Sequence, residues 1–325
     1  MSKRPKAPKS YASLFNKPQP IADKIRRRIQ RDMESGVVDM KAFRDNRQQM
    51  AEWAADALYD DLHPAHAIYA YVYNACNVFI EQLSQVADLE RFADIINAAE
   101  DEYLPSGPPM SPLTKSYFSS WAYFDLGIGI GRETLATTAL ALGEAFGMDA
   151  KFARVLEDLQ GSRMGVHVHE GVENEHVVLR ELVDGTTRVC HCPSGYAGKA
   201  GEVWLVRVLQ PSLPQSDLHV VFTTPYVFLE TDEAAWLAYF DRVLVQAPRE
   251  RRVEAYAKLM KWGQTRDTWN RFVFEAYAGS GAGAVYLRGL PDVAASRPHS
   301  DINMERDRRS RADGERDGPQ MTNEA

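Results

Sequence analysis

The chain has 325 residues, of which 45% are hydrophobic, enough for two ordinary domains or one large one with an apolar core. Its formal net charge of −7 excludes a general attraction of the whole surface to nucleic acid or anionic lipid. It has three cysteines and no run near the roughly 18 apolar residues of a membrane span, which argues against a disulfide framework and membrane insertion. With no secretory signal among the basic first residues, the sequence favours a protein of the reducing cytoplasm.

Positive charge is concentrated at the start of the chain, where residues 1–31 hold ten Lys or Arg and one acidic residue, Asp23. Residues 1–19 are rich in proline and lysine, which is typical of a disordered arm. The helix predicted next has an apolar stripe at Ile21, Ile25, Ile29 and Met33. Its opposite face holds Arg26, Arg27, Arg28 and Arg31. This face is either solvated or binds an acidic partner, and nucleic acid would be held only weakly and without sequence preference.

Helical spacing of apolar residues continues through most of residues 20–161, which are therefore predicted to form a helical region. Two or three helices fit residues 39–104. Prolines within 104–112 exclude a helix there, and helical spacing resumes over 113–124 and 132–160.

The glycine-rich stretch DLGIGIGRETLATTALALG, residues 125–143, allows three interpretations. Glycines before a helix are typical of phosphate loops, but no strand precedes them and no Gly-Lys-Ser/Thr follows. The stretch also has a faint likeness to the turn and second helix of a helix-turn-helix, although its extra glycines spoil the turn spacing. The favoured interpretation is a loop that enters a core helix.

At Gly165 the apolar period changes from that of helices to that of strands. Five strand candidates follow: GVHVHEGV, HVVLRELV, TRVCHCP, EVWLVRVL and HVVFTTPYVFL. Turn signals separate them, and the strongest is Asp184–Gly185. Short strands joined by hairpin turns predict a five-stranded antiparallel barrel or sandwich over residues 162–230.

Two of the three cysteines, Cys190 and Cys192, lie in one of these strand candidates. A two-residue loop at Asp184–Gly185 would pair Glu181 with Arg188, Leu179 with Cys190 and Val177 with Cys192. Because strand side chains alternate, both cysteines would face the same side as apolar partners. We expect small core residues rather than a disulfide, since side chains two positions apart on a strand run parallel.

The stretch RVCHCPSGYAGKAGE, residues 188–202, resembles the SEC-C motif, a small zinc-binding element. The matching residues are Cys190, Cys192, Ser194, Gly195 and Lys199. The motif closes with a Cys-Cys or Cys-His pair, where this chain has Gly201 and Glu202. Half of the four ligands of a tetrahedral zinc site are therefore missing, and we regard the resemblance as spurious.

A second resemblance covers about a fifth of the chain, from SRMG (162–165) to HVVFTTPYV (219–227). This stretch is similar to a strand block in uncharacterised bacterial hypothetical proteins, in which helices also precede the strands. The resemblance implies a shared β module and carries no known activity.

The segment VHVHEG places His167 and His169 on one strand face, where two imidazoles can converge on one metal ion. His176 begins the next strand and would supply a third ligand. The alternative is that these histidines lie on the wet face of an edge strand, with Val166 and Val168 buried. A divalent metal here is the one cofactor considered, and no other is predicted.

The loop GYAGKAGE, residues 195–202, joins two strand candidates and would project Tyr196 and Lys199. Loops on a rigid scaffold often carry binding residues, so these two are binding candidates, and a plain connector is the alternative.

Helical spacing returns over 232–246 and 250–278, so residues 231–284 are predicted to form C-terminal helices. Residues 285–325 mix acidic residues and arginines with few large apolar ones, which predicts a disordered tail. The predicted fold class is therefore α+β, with a helical N-terminal region, a small β module and C-terminal helices.

The sequence contains no Ser-His-Asp signature, nucleophile elbow or His-Glu-x-x-His motif, which favours a role other than catalysis. We expect a cytoplasmic bacterial binding or adaptor protein with a protein partner. One alternative is a metal-dependent enzyme that uses His167, His169 and His176. A second alternative is weak nucleic-acid association through the basic N-terminal arm.

Overall fold

A computed structural model of the chain describes residues 19–35, 62–84, 90–103, 112–146, 148–212, 216–263 and 268–294. Over these residues the fold is mixed α+β, as predicted, and it contains a closed five-stranded β barrel. No helix within these ranges is long and apolar enough to cross a lipid bilayer. Most of the predicted arm, of the break at 104–112 and of the C-terminal tail lies outside the described residues, as do residues 39–61.

Helices precede the strands along the chain. They are α1 Pro20–Glu34, α2 Pro64–Ser84, α3 Glu90–Tyr103, α4 Pro112–Phe124, α5 Leu135–Phe146 and α6 Ala150–Gly161. The single helix predicted over 132–160 is thus two helices. Asp149 accounts for the new start, because its carboxylate caps α6 by accepting the Phe152 N–H at 3.3 Å.

The predicted apolar stripe of α1 packs into the core, where Ile25 is fully buried and Ile21 and Ile29 are half-buried. Glu133, in the loop before α5, holds the start of this helix. Its carboxylate accepts the backbone N–H groups of Ile21 and Ala22, both at 2.9 Å. A carboxylate at this position satisfies donors that lack partners within the helix and complements the helix dipole. The helix is therefore tied to the loop between α4 and α5.

Strands follow α6, with two more near the C-terminus. They are β1 Met164–Glu173, β2 His176–Glu181, β3 Thr187–His191, β4 Val203–Leu209, β5 His219–Val221, β6 Tyr226–Phe228, β7 Tyr277–Gly281 and β8 Ala284–Leu287. The last predicted strand, over 219–229, is therefore two short strands separated by residues 222–225. Pro225 lies in this break and has no N–H to give to a strand ladder.

The barrel closes in the order β1-β2-β3-β5-β4, with β4 pairing back to β1. The predicted antiparallel pairing is wrong at one place, because β3 and β5 run parallel. A closed ring with an odd number of strands cannot alternate direction throughout, so at least one neighbouring pair must be parallel. The sheet then extends from β4 through β6 and β8 to β7, and β6 and β8 are also parallel.

The C-terminal part differs from the prediction. Helices α7 Glu233–Val243, α8 Arg252–Trp262 and α9 Thr268–Glu275 are followed by the β7–β8 hairpin and a short helix, α10 Pro291–Ala294. The helix predicted to reach residue 278 therefore ends earlier, and the region predicted to be disordered from 285 begins within β8. The pairing that fixes β8, Val227 with Tyr286, joins residues far apart in the chain and leaves no local pattern.

The register of the β2–β3 hairpin is shifted by two residues from the prediction. Leu179 lies opposite Arg188, and Val177 lies opposite Cys190. The Glu181 N–H donates to the Thr186 carbonyl at 2.9 Å, so the loop is longer than two residues. A shift of two keeps every side chain on its face. The predicted environment of Cys190 is therefore confirmed.

The barrel strands have apolar residues on both faces. The inner cluster is formed by Val177, Leu179, Cys190, Trp204, Val206, Val221, Val227 and Ala284. The outer faces pack against the helices in a second, larger core, to which Val166 and Val168 of β1 belong. The barrel is therefore a filled core rather than a pore.

Candidate functional site

The two histidines of the His-x-His segment lie inside the barrel. His167 is 2% exposed and His169 is 1% exposed, so the alternative of a wet strand face is wrong. The His169 ring packs on Trp204 with centroids 4.8 Å apart. Both faces of β1 are buried over residues 164–169, because the helices cover the side of Val166 and Val168. His176 lies near the turn that joins β1 to β2, opposite Glu173, and does not converge with the other two.

Charged side chains surround His167 at one end of the barrel. Glu181 lies opposite it, is 3% exposed, and binds Arg163 and, at 3.3 Å, Arg188. Burial raises the pKa of the Glu181 carboxyl, but Arg163, a hydrogen bond with Asp184 and the charge of Arg188 together outweigh burial, and the pKa lies below its usual range. Burial lowers the pKa of His167 to about 3, so its ring is neutral at physiological pH. The predicted pairing of Glu181 with Arg188 across the hairpin is wrong, since Leu179 lies opposite Arg188, yet the two charged side chains still form a salt bridge.

The three cysteines are free thiols, and burial raises the pKa of each, to about 12 for Cys76 and Cys190. Because the thiolate is the reactive form, we expect a maleimide at neutral pH to label the folded chain very slowly. Mass spectrometry should show all three thiols labelled once the chain is denatured. Rapid labelling of Cys192 in the folded chain would contradict this expectation.

The two binding candidates of the loop at 195–202 are separated by the structure. Tyr196 packs on Trp204 with ring centroids 5.4 Å apart, and its hydroxyl donates to Glu202 at 3.1 Å. Gly198 has φ +63°, and a Cβ there would lie 2.3 Å from the Trp204 ring. The loop therefore packs on the barrel through Tyr196, and Lys199 is exposed to solvent.

The three arginine candidates of α1 are all exposed. Arg26 donates to the Asp23 carboxylate at 2.8 Å and to the Ala141 carbonyl at 2.7 Å, and Arg27 donates to the Asp23 carbonyl at 3.2 Å. A shallow depression of about 570 Å³ runs along this helix and is lined by Lys24, Arg27, Gln30, Arg31 and Glu34. Two of the three arginines thus hold their own helix or its neighbour.

A larger cavity, of about 620 Å³, lies between α4, the loop that follows it, and α8. Its lining consists of Trp121, Asp125, Gly127, Arg132, Ala255, Lys258, Leu259, Trp262 and Gly263. The volume is within the range of about 300–1,000 Å³ that is usual for small-molecule sites. We call this cavity the tryptophan cavity, because an indole from α4 and another from α8 contribute to it.

The loop between α4 and α5 aims Arg132 at the tryptophan cavity. Ile128 and Glu133 exchange two backbone hydrogen bonds, of 2.8 and 3.0 Å, which close the loop into a tight hairpin. Arg132 has φ +51°, a left-handed conformation that costs a non-glycine residue about 1–2 kcal/mol. Its guanidinium carbon lies 5.5 Å from the centroid of the Trp262 ring. A Cβ at Gly127 would lie 3.0 Å from the Arg132 Cβ, so the close return of the loop favours glycine there.

Beneath the cavity, Asp125 holds two buried cations. Its carboxylate binds the guanidinium of Arg207, which is fully buried, and the Lys261 ammonium at 2.8 Å. Lys261 also donates to the Gln160 carbonyl at 2.6 Å and the Ser162 carbonyl at 2.8 Å, and Arg207 donates to the Ser162 carbonyl at 3.0 Å. Carbonyls at a helix C-terminus lack partners within the helix, and cations satisfy them well. We call Asp125, Arg207 and Lys261 the buried ion cluster.

The electrostatics of the cavity favour an anion. Its described lining carries two cations, Arg132 and Lys258, against the single carboxylate of Asp125, which is already bound to the buried ion cluster. Lys258 is partly neutralised, since it also binds Glu254 at 2.8 Å on the exposed side. Burial lowers the pKa of Lys261 to about 8, and Asp125 opposes this shift. Positive charge therefore exceeds negative charge at the cavity and directly beneath it.

Sequence reasoning did not find the tryptophan cavity. Trp121 and Trp262 keep helical spacing and look like core residues, and their segments are distant in the chain. One signal was present, the glycine-rich stretch at 125–143, for which a phosphate loop was one of the open interpretations. The structure shows a tight hairpin there, with Arg132 at its exposed side.

Neither thiol of the SEC-C resemblance belongs to a group of three His, Cys, Asp or Glu side chains that could hold a metal ion among the described residues. Cys190 lies inside the barrel, and the Cys192 Sγ lies 3.4 Å from the Ser194 hydroxyl. Comparisons of the chain with protein-family models, with curated proteins and with solved structures find no match.

Proposed function

We propose that the chain is a binding protein and that the tryptophan cavity takes a small molecule with an aromatic ring and an anionic group. The observation that carries this proposal is Arg132, which a left-handed backbone holds over the Trp262 ring at the edge of the cavity. Backbone conformations of this kind are retained where the surrounding structure enforces them, and they cluster at ligand sites. An indole and a cation side by side suit an aromatic ring and an anion in one molecule.

The lining supports binding rather than catalysis. Asp125 is its one carboxylate among the described residues, and both of its oxygens are engaged by Arg207 and Lys261. The same lining contains no histidine or cysteine. A general base or a nucleophile needs a lone pair that can reach a substrate, and the ion pairs of Asp125 with two buried cations disfavour that role for its carboxylate. The proposal keeps the class that the sequence favours, a binding protein, and assigns the contact to the cavity instead of the loop at 195–202.

Three probes test the two halves of this recognition separately. Adenosine monophosphate carries a ring and an anion, adenosine carries the ring alone, and ribose phosphate carries the anion alone. Isothermal titration of the full chain should give the tightest binding for adenosine monophosphate. Arg132→Gln should weaken that binding by about tenfold, the effect of losing one charge-assisted hydrogen bond, and should leave adenosine unchanged. Trp262→Leu should weaken both adenosine and its monophosphate.

Arg251→Gln is the matched control, because Arg251 is an exposed arginine next to α8 that binds Glu254 and does not line the cavity. It should bind all three probes as the parent chain does. Equal affinity for adenosine and adenosine monophosphate would contradict the anionic half of the proposal. Binding that survives both Arg132→Gln and Trp262→Leu would show that the ligand lies elsewhere.

A further inference from the structure

Four histidines from three segments meet on the outer surface of the barrel. His176 of β2 and His191 of β3 are neighbours across the two strands, since the adjacent residues, Val177 and Cys190, are paired. His63 and His66 stand at the N-terminus of α2, three residues apart, which places them near one another on the helix. We call these four side chains the histidine cluster.

The rings of the histidine cluster are in mutual contact. The His191 centroid lies 5.0 Å from that of His63, 5.4 Å from that of His66 and 6.0 Å from that of His176. His191 is therefore the centre of the group. His63 is exposed and the other three are half-buried, so the cluster is open to solutes.

The distances between ring nitrogens, rather than between ring centres, decide whether the cluster can bind a metal ion. His66 Nδ1 lies 3.2 Å from His191 Nε2, so one proton must be shared between two rings. Zinc–imidazole bonds of about 2.0–2.1 Å in tetrahedral geometry separate two ligand nitrogens by about 3.3–3.4 Å, so an ion can replace that proton with little movement. His176 Nδ1 is buried and has no hydrogen-bond partner among the described residues. An unpartnered buried nitrogen beside this pair is a natural third ligand.

We propose that His66, His176 and His191 form a binding site for a divalent transition metal, with a water molecule as the fourth ligand. Imidazole ligands without carboxylates suit zinc, nickel, copper and cobalt and not magnesium or calcium. As the side chains stand, no three His, Cys, Asp or Glu in the described ranges already surround a single point. The His176 ring must therefore turn toward the His66–His191 pair when an ion binds.

His63 is assigned a positioning role rather than a ligand role. Its Nδ1 accepts the Ala65 N–H at 3.2 Å, which is a side-chain cap on the start of α2. A neutral imidazole has a single lone pair, and here that lone pair is used by the cap. The His63 ring stacks on that of His191 with an interplanar angle of 13° and so limits the rotation of His191.

Two features lower the affinity below that of a closed structural zinc site. The positive end of the α2 dipole faces the cluster and opposes a cation. The three ligands are neutral, so the charge of the ion is not cancelled. We therefore expect micromolar rather than picomolar affinity.

Cobalt alone is the probe, added to the full chain after removal of any affinity tag. We expect one ion per chain and the visible absorption of tetrahedral cobalt, which zinc should displace. His66→Gln and His191→Gln should each weaken cobalt binding at least tenfold, and His63→Gln should weaken it by less. His219→Gln is the matched control, because His219 is a half-buried histidine on β5 outside the cluster, and it should bind cobalt as the parent does.

Circular dichroism and thermal unfolding without metal must first show that each variant is folded. His66→Gln is the variant least disturbing to the barrel, because His66 lies on a helix, and it keeps the test decisive if His191→Gln fails to fold. Absence of cobalt absorption in the parent, or absorption retained in His66→Gln, would overturn the assignment. An octahedral spectrum, or loss of binding in His219→Gln, would overturn it equally.

Discussion

Replacing Asp125 by Asn is expected to lower the free energy of unfolding by about 3–5 kcal/mol at neutral pH, the usual cost of breaking a buried ion pair. Arg207 is fully buried and Lys261 is 7% exposed, so neither cation can turn to bulk water when the carboxylate is removed. The asparagine keeps the shape of the side chain, and the loss therefore reports charge rather than packing. Urea unfolding at several pH values measures it.

The pH dependence of this loss follows from Lys261. Its pKa in the folded chain is lowered to about 8 from its ordinary value of 10.5. Between these values the unfolded chain binds more protons, so the contribution of this group to stability rises with pH. Without Asp125, the pKa of Lys261 in the folded chain falls further. The rise in stability with pH that Lys261 causes therefore begins at a lower pH in the variant than in the parent chain. The unfolding free energy lost in Asp125→Asn should therefore become smaller as the pH rises toward 8 and stay constant above pH 8. It should not reach zero at any pH, because Arg207 remains charged.

Asp158→Asn is the control for this experiment, since the Asp158 carboxylate accepts a surface hydrogen bond from the Gln210 side chain at 2.6 Å and contacts neither buried cation. Its effect should stay within about 0.5 kcal/mol and be independent of pH over the same range. A loss below 1 kcal/mol in Asp125→Asn would mean that the two cations are stabilised chiefly by the carbonyls at the end of α6. A loss of unfolding free energy in Asp125→Asn that grows with rising pH would contradict the pH dependence predicted for Lys261.

Replacing Trp236 by Ala is expected to cost about 3–5 kcal/mol, the range measured for aromatic residues removed from cores. The side chain is fully buried, with its ring 4.3 Å from Phe228, 6.5 Å from Trp269 and 6.2 Å from Phe272. Its indole N–H donates to the Thr231 hydroxyl at 2.9 Å. This residue therefore joins β6, α7 and α9 in one contact, and urea unfolding of the variant measures how firmly the C-terminal helices are attached.

Val245→Ala is the matched control, because Val245 follows α7 and is 70% exposed. Its effect should lie within about 0.5 kcal/mol. Trp236→Phe retains a ring and should lose less than Trp236→Ala. Equal losses in the control and in Trp236→Ala would show that α7 packs on the sheet by other residues.

Much of the fold could be predicted from the sequence, because local patterns determine it. The period change at Gly165, the hairpin around Asp184–Gly185 and the stripe of α1 each depend on residues close in the chain. The parallel pairing of β3 with β5 and the β7–β8 hairpin could not be predicted this way. They depend on strands that meet only after the barrel closes, and the glycines of β7 resemble a terminator more than a strand.

The candidate sites were harder to predict from the sequence, because their residues also come together only in the folded chain. The pattern His-x-His places His167 and His169 on one face of β1, and the structure puts both rings inside the barrel, because the first six residues of that strand are buried. The sequence predicts His176 as a third ligand beside His167 and His169, whereas its neighbours in the structure are His191 of β3 and His63, which precedes α2. Arg132 and Trp262 approach one another only through tertiary packing, so no spacing rule connects them.

The parallel pairing of β6 with β8 forms late, because β8 is synthesised well after β6. Phe228 ends β6, and Ala284, which begins β8, leaves the ribosome 56 residues later. At about 5–20 residues per second, the outer edge of β6 waits about 3–11 seconds for its partner. During that interval its backbone groups are an open template for a strand of another nascent chain. Pairing with β8 then covers this edge of β6 and removes it as a template for another strand.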